Sequence, residues 1–122
     1  MKTFGLVVIG LLMAIAITAA QPVAGDWNAT IKVGEISLRL ALHVKESKNG
    51  LEATFDSIDQ KVMGMPVDKI EVKGQQLRFE IAAIQAVYTG KLNPGGTTIT
   101  GSWAQLGMDF PLDFKKAEGA KK

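Results

Sequence analysis

Residues 35–45 read EISLRLALHVK. Apolar residues occupy every second position from Ile36 to Val44, and most of the positions between them are polar or charged. Because successive side chains of a β-strand point to opposite faces of a sheet, this alternation predicts a strand with one buried face and one exposed face. The sequence therefore places a strand at Glu35–Lys45.

The same alternation recurs along the chain from Trp27 onward, and no segment has helical periodicity. Short segments rich in Gly, Asn and Pro separate the alternating ones, as expected of tight turns between antiparallel strands. Since closure removes the exposed edges of an open sheet, we expect an all-β, antiparallel up-and-down meander of about eight strands that closes into a small lipocalin-like barrel. A two-layer sandwich is the alternative. The predicted strands are Asp26–Val33, Glu35–Lys45, Leu51–Ser57, Val67–Lys73, Gln76–Ala82, Ala86–Leu92, Thr97–Ala104 and Met108–Lys115.

The predicted inward face carries two glycines, Gly90 and Gly101. Glycine within a strand lets the strand bend, or lets a large side chain such as Trp27 pack against bare backbone. The large inward side chains are numerous enough to fill so small a barrel. They are Trp27, Leu38, Leu40, Leu42, Phe55, Phe79, Trp103, Phe110 and Phe114.

The N-terminus has the order of a secretory signal. Lys2 is followed by an apolar run from Phe4 to Ile17 and by the small residues Thr18–Ala20. The run is shorter than the roughly 20 residues that span a bilayer, so we favour a helical signal peptide cleaved after Ala20 over a membrane anchor. The product is then periplasmic or secreted, without a stable membrane anchor. The expected organisation is a signal peptide at 1–20, a β-barrel domain at 21–115 and a flexible basic tail at 116–122.

Composition excludes several kinds of site. The chain of 122 residues fits one domain. Its net charge is +2 and falls by one when Lys2 leaves, too little to neutralise nucleic-acid phosphates. Cysteine is absent, which excludes a thiol nucleophile, a cysteine-ligated zinc or iron–sulfur site and a lipid-anchoring cysteine. We expect no nucleic-acid partner and no cofactor.

No catalytic constellation is recognisable in the sequence. His43 is the single histidine and falls on the polar face of a strand, where we interpret it as solvated. The spacings of nucleophile elbows, P-loops, zincins and EF-hands do not occur. The carboxylates near the loops are interpreted as solvated outer-face residues, so we predict neither catalytic residues nor a metal site. These carboxylates are Asp56, Asp59, Asp109 and Asp113.

The connections of an up-and-down meander alternate between the two ends of the sheet. The polar end receives the connections at Glu46–Gly50, Lys73–Gln76 and Asn93–Gly96, and the apolar end receives those at Val33-Gly34, Ile58–Pro66, Ala82–Gln85 and Gln105–Gly107. Apolar side chains and methionines at one end can form the mouth of a ligand pocket, a docking surface or a plug. Turn chemistry is the alternative role of the serine and aspartate there. The candidate binding rim is Ser57, Ile58, Asp59, Gln60, Met63, Met65, Ile84, Gln105 and Leu106.

An ordered set of motifs resembles a known domain. The motifs are Gly25-Asp-Trp27, Leu38-x-Leu-x-Leu-His43, Ser57-x-Asp-Gln60, Gly64-Met-Pro66, Tyr88-x-Gly90, Ile99-x-Gly101-x-Trp103-x-Gln105 and Phe110-Pro-Leu112. Together they resemble the small β domain that precedes the catalytic domain of many secreted bacterial α/β-hydrolases of the serine peptidase or esterase type, and short exported proteins made of that domain alone. In this family's loop a proline is expected where Ile58 stands. The nucleophile elbow of such hydrolases lies downstream of the region, so the resemblance implies no catalytic residue here.

We therefore expect a non-catalytic exported β domain that binds a protein partner or a small apolar ligand through its apolar end. A secreted α/β-hydrolase is the partner that the resemblance implies. One alternative is a lipocalin-like carrier, which requires an apolar void inside the barrel. Others are an inhibitor or regulator of a secreted hydrolase, and a weak enzyme that uses Asp59 or Asp109.

Overall fold

The structure is a computed structural model that describes residues 23–117. The predicted signal peptide at 1–20 and its cleavage site lie outside these residues, as do positions 118–122 of the predicted tail. Between positions 23 and 117, no helix has the length and apolar character needed to cross a bilayer.

Nine antiparallel strands form one sheet that curls into a half-barrel, which confirms the predicted all-β class. The order of the strands across the sheet is β4-β3-β2-β1-β9-β8-β7-β6-β5. A short 3₁₀ turn at Ala82–Ile84 is the one helical element of the described residues. The strands are β1 (Gly25–Val33), β2 (Ile36–Ser47), β3 (Gly50–Ser57), β4 (Val62–Pro66), β5 (Lys69–Lys73), β6 (Gln76–Ile81), β7 (Ala86–Leu92), β8 (Thr98–Gln105) and β9 (Met108–Lys116).

The prediction of a loop at Ile58–Pro66 was wrong, because its second half is strand β4. Gly64, with φ of 71°, and Pro66 resemble turn residues in sequence and mask the strand. The pairing of β4 with β3 is also irregular, with a shift in register between Phe55 and Ser57. The sheet therefore has one strand more than the eight predicted.

The two outermost strands of the sheet, β4 and β5, are joined by a bend in the chain. The amide of Val67 donates to the carbonyl of Ala53 at 3.1 Å, and the next amide, of Asp68, donates to the carbonyl of Glu80 at 2.9 Å. Consecutive residues thus bond to β3 on one side and to β6 on the other. The bend therefore links the two edges of the half-barrel through the chain itself, and the predicted closure into a barrel is not complete.

The inner face carries a packed cluster of aromatic rings. The ring centroids of Phe79 and Tyr88 lie 5.3 Å apart, and those of Tyr88 and Phe114 lie 5.1 Å apart in an edge-to-face arrangement. All three side chains are fully buried, as are those of Trp27 and Leu42. Aromatic pairs of this geometry contribute about 0.5–1.5 kcal/mol each beyond the area that they bury.

The inward glycines accommodate Tyr88, and not Trp27 as expected. Gly90 and Gly101 are direct partners in the β7–β8 ladder. A Cβ atom on Gly90 would lie 2.8 Å from the Tyr88 hydroxyl oxygen, and one on Gly101 would lie 2.6 Å from it. Bare backbone at both positions therefore lets the phenol reach the Leu112 carbonyl, to which it donates a hydrogen bond of 2.7 Å.

We predict that Gly101→Ala destabilises the protein by about 1–3 kcal/mol, the usual cost of overpacking a core, because the new methyl group collides with the Thr89 carbonyl oxygen and with the Tyr88 hydroxyl. Gly95→Ala is the control, since a Cβ atom there meets nothing within 4 Å. Thermal unfolding followed by circular dichroism measures both. Equal unfolding temperatures for the two variants would contradict this account of Tyr88.

Candidate ligand-binding cavity

A cavity of about 570 Å³ opens at the apolar end of the sheet. Most of its lining is apolar. The lining residues come from β1 to β4, from β8 and β9, and from connections of the apolar end. The large inward side chains, although numerous, therefore do not fill the interior at this end. The lining residues are Ile31, Val33, Leu38, Leu40, Phe55, Ser57, Gln60, Val62, Met65, Ile84, Trp103, Gln105, Leu106, Met108 and Phe110.

The cavity lies where the pairing between β1 and β9 ends. The ladder between β1 and β9 consists of Trp27–Lys116 and Asn28–Lys115, at the polar end of β1, and it does not extend to the apolar end. The walls of the cavity combine aliphatic side chains such as Ile31 and Leu38 with the aromatic ring of Trp103. Where β1 and β9 are no longer paired, these inward side chains leave space unfilled.

Trp103 forms part of the cavity wall. Its side chain is only 3% exposed, and its ring centroid lies 5.2 Å from that of Phe55. The indole Nε1 donates to Oε1 of Gln105 at 2.9 Å, and Nε2 of Gln105 donates to the carbonyl of Ile84 at 2.9 Å. Two hydrogen bonds thus hold the Gln105 carboxamide in a fixed orientation beside the cavity.

The polar groups of the cavity are few and uncharged. They belong to Ser57, Gln60 and Gln105, and the Ser57 hydroxyl donates to Oε1 of Gln60 at 2.6 Å. Within residues 23–117, no aspartate, glutamate, lysine, arginine or histidine lines the cavity. A ligand that carries a charge would find no counter-ion on these walls, so the site favours a neutral ligand.

The structure brings six of the predicted rim residues to the cavity, namely Ser57, Gln60, Met65, Ile84, Gln105 and Leu106. Three do not line it. Ile58 lies in a separate groove on the outer face, and Met63 is 63% exposed. The Asp59 carboxylate accepts hydrogen bonds of 2.7 Å from both the backbone amide and Nη2 of Arg39. These bonds attach the turn between β3 and β4 to β2, outside the cavity.

Sequence reasoning missed the cavity residues that belong to strands rather than to connections. Val33, Val62 and Met108 line the cavity and are also exposed, at 37%, 37% and 55%. Each lies at the end of a strand, beside one of the connections of the apolar end. Extending the inward alternation of β1 and β9 to the apolar end of each strand finds Val33 and Met108, whereas Val62 is out of phase with Met65 on β4 and has no such signal.

The interpretation of His43 as a solvated side chain was wrong. The imidazole lies between two carboxylates on the outer face. Its Nδ1 lies 2.8 Å from Asp26 and its Nε2 lies 2.8 Å from Asp56. The Asp56 carboxylate, 7% exposed, also accepts the amide N–H of Gly64 at 2.7 Å. This cluster ties β1, β2, β3 and β4 together, and since both ring nitrogens are engaged, the imidazole has no free nitrogen to act as a base.

The cluster shifts the pKa values of His43 and Asp56 in opposite directions. Hydrogen bonds to Asp26 and then to Asp56 raise the pKa of His43, and burial opposes this only in part. Burial by itself raises the pKa of Asp56, but the hydrogen bonds from Gly64 and His43 outweigh it, so the pKa is lowered overall. The pair is therefore charged, with His43 protonated, over a wider range of pH than the free side chains.

We predict that this cluster stabilises the fold most between about pH 4 and 6.5, the unperturbed pKa values of the two groups. The contribution of His43 is complete below about pH 6.5 and is lost as the pH rises through its raised pKa. That of Asp56 is complete above about pH 4 and is lost as the pH falls through its lowered pKa. Because His43 is partly exposed, screening limits the effect to about 1 kcal/mol or less.

Urea unfolding of the protein and of His43→Gln across this range measures the effect. We expect the difference in unfolding free energy between them to shrink above pH 6.5. Lys45→Gln is the control, because Lys45 and Glu52 flank the cluster on the same surface. A difference for His43→Gln that does not depend on pH would show that the imidazole acts only through packing.

Comparisons with protein-family models, with curated proteins and with solved structures found no match. In residues 23–117, no group of three or more acidic or histidine side chains is arranged to hold a metal ion. The resemblance to the hydrolase-associated β domain therefore stays a prediction from motifs, and the chemistry of the cavity is the basis for a functional proposal.

Proposed function

We propose that this protein binds a small, neutral, predominantly apolar ligand in the cavity at its apolar end, as a carrier or sequestering protein. The observation that carries the proposal is an apolar, uncharged space of about 570 Å³ that reaches the surface. Ligand sites typically measure about 300–1,000 Å³ and combine apolar walls with a few polar groups. The mouth fits a ligand taken up from outside, since Leu106 is 71% exposed there.

The thermodynamics of such a cavity favour an apolar occupant. Its volume corresponds to roughly 20 water molecules at about 30 Å³ each. Water beside Leu38, Leu40 and Phe55 has few hydrogen-bonding partners, so its displacement by an apolar group is favourable. A charged ligand would lose its hydration without gaining a counter-ion.

The described side chains support binding more than catalysis. The chain's single imidazole lies on the outer face, and both its nitrogens are bonded to carboxylates. Asp59 is paired with Arg39, also outside the cavity. A substrate in the cavity would therefore meet hydroxyl and carboxamide groups without a base beside them.

Export and an association with a secreted hydrolase are further parts of the proposal, and they rest on sequence motifs alone. An exported carrier would take up an apolar molecule in the periplasm or the medium. A hydrolase encoded beside it could supply or consume such a molecule. Ligand binding depends on neither export nor a hydrolase, so either part can be wrong without affecting it.

We expect the neutral dye N-phenyl-1-naphthylamine to bind the purified protein at one saturable site, with the rise in emission typical of transfer to an apolar environment. Leu38→Trp should weaken binding by about tenfold or more, because the indole fills the cavity. Direct excitation of the dye avoids interference from the added tryptophan.

Leu51→Trp is the matched control. Leu51 is also a partly buried leucine packed against the core, but it lies at the polar end and does not line the cavity. Its affinity for the dye should stay within about twofold of the unmodified protein, and circular dichroism checks that both variants fold. Absence of saturable binding, or equal losses in the two variants, would overturn the proposal.

A further inference from the structure

The orientation of the Gln105 carboxamide follows from the chemistry of its two partners. The indole N–H of Trp103 can only donate, so the atom 2.9 Å from it must be the oxygen. The carbonyl of Ile84 can only accept, so the atom 2.9 Å from it must be the nitrogen. Both bonds agree on one orientation, and neither partner tolerates the flipped amide.

This orientation leaves one N–H of Gln105 available at the cavity. A carboxamide nitrogen carries two hydrogens, and the bond to Ile84 uses one of them. The oxygen already accepts the indole N–H, and an oxygen with one bond and a spare lone pair is tolerated far better than an N–H without a partner. The unmet requirement at this wall is therefore a hydrogen-bond acceptor.

Gln60 points to the same requirement. It also lines the cavity, and its oxygen lies 2.6 Å from the hydroxyl oxygen of Ser57. In that arrangement both hydrogens of its nitrogen are available for a ligand or for water. The polar side of the cavity thus offers mainly N–H donors, while the remaining walls are apolar.

We propose that the ligand is an uncharged apolar molecule with a carbonyl group, such as a ketone, an ester or an amide, whose oxygen accepts the free N–H of Gln105. This inference rests on the proposed function and specifies its ligand class. Gln105 is then the residue that determines specificity, and the apolar walls supply most of the affinity. A carboxylate is disfavoured because the lining has no cation.

The expected discrimination can be bounded. Apolar walls distinguish molecules of equal shape only weakly, whereas a site that hydrogen-bonds a carbonyl rejects the analogue without it. One hydrogen bond contributes about 0.5–1.5 kcal/mol net, which corresponds to as much as tenfold in affinity. Because Gln105 is only half-buried, we expect a preference of about fivefold to tenfold.

Three naphthalenes of similar shape test the inference by displacement of N-phenyl-1-naphthylamine. In 2-acetylnaphthalene the carbonyl oxygen is present, in 2-isopropenylnaphthalene a methylidene group replaces it, and 2-naphthoate carries a charge. We expect the ketone to bind about fivefold to tenfold more tightly than the isopropenyl compound and also more tightly than the carboxylate. Equal affinities for the ketone and the isopropenyl compound would overturn the inference.

Two substitutions assign the preference to Gln105. Gln105→Met removes both functions of the amide, and Gln105→Glu keeps an acceptor for the Trp103 indole but has no N–H to donate. Both should lose the preference for the ketone, measured in each variant as the ratio of its affinities for the ketone and the isopropenyl compound. Gln76→Met, on the exposed start of β6 at the polar end, is the matched control and should keep it.

The outcomes separate the two proposals. If the dye and all three naphthalenes fail to bind, the proposed function is wrong. If they bind without preference, the cavity takes apolar ligands but Gln105 does not select among them. If the ketone preference survives in both Gln105 variants, a different group recognises the carbonyl and the role of Gln105 is disproved.

Discussion

The packing of Tyr88 against bare backbone is the constraint on which the rest of the structure depends. Gly90 and Gly101 face each other across β7 and β8, and their missing side chains let the phenol cross the interior to the carbonyl of Leu112. The rings of Phe79 and Phe114 pack directly on the phenol. The phenol thereby joins β7 to β9 across the interior, and the cavity opens beyond the point where the ladder between β1 and β9 ends.

The sequence was sufficient for the fold class and for one end of the molecule, because both follow from periodicity and from the alternation of connections. Ile84 and Leu106 are far apart in the chain, and they still meet at the cavity because both follow strands that run the same way. Strand β4 was missed because Gly64 and Pro66 interrupt its alternation. A ligand pocket was only one of the roles left open for the apolar end, because alternation predicts which face a side chain occupies but not how completely the opposite walls meet.

Contacts that depend on register lay beyond sequence reasoning. His43 is directly opposite Asp26 on β1, but its other partner, Asp56, is diagonal to it on β3. A shift of one residue in either pairing would move a carboxylate to the other face and dissolve the cluster. The orientation of Gln105 has the same origin, since Ile84 reaches it from a connection that precedes the neighbouring strand.

The two faces of the sheet separate two kinds of polar chemistry, and β3 shows how. Phe55 and Ser57 point into the cavity, while Asp56 between them lies on the outer face with His43. Because of the period-2 alternation, the uncharged hydroxyl of Ser57 lies in the interior, whereas the charge of Asp56 lies on the outer face beside its partner His43. Asp56 also holds the amide of Gly64, so the charged cluster outside anchors the strand that carries Met65 into the cavity wall. The charges stabilise the wall of the cavity without entering the space in which an apolar ligand would bind.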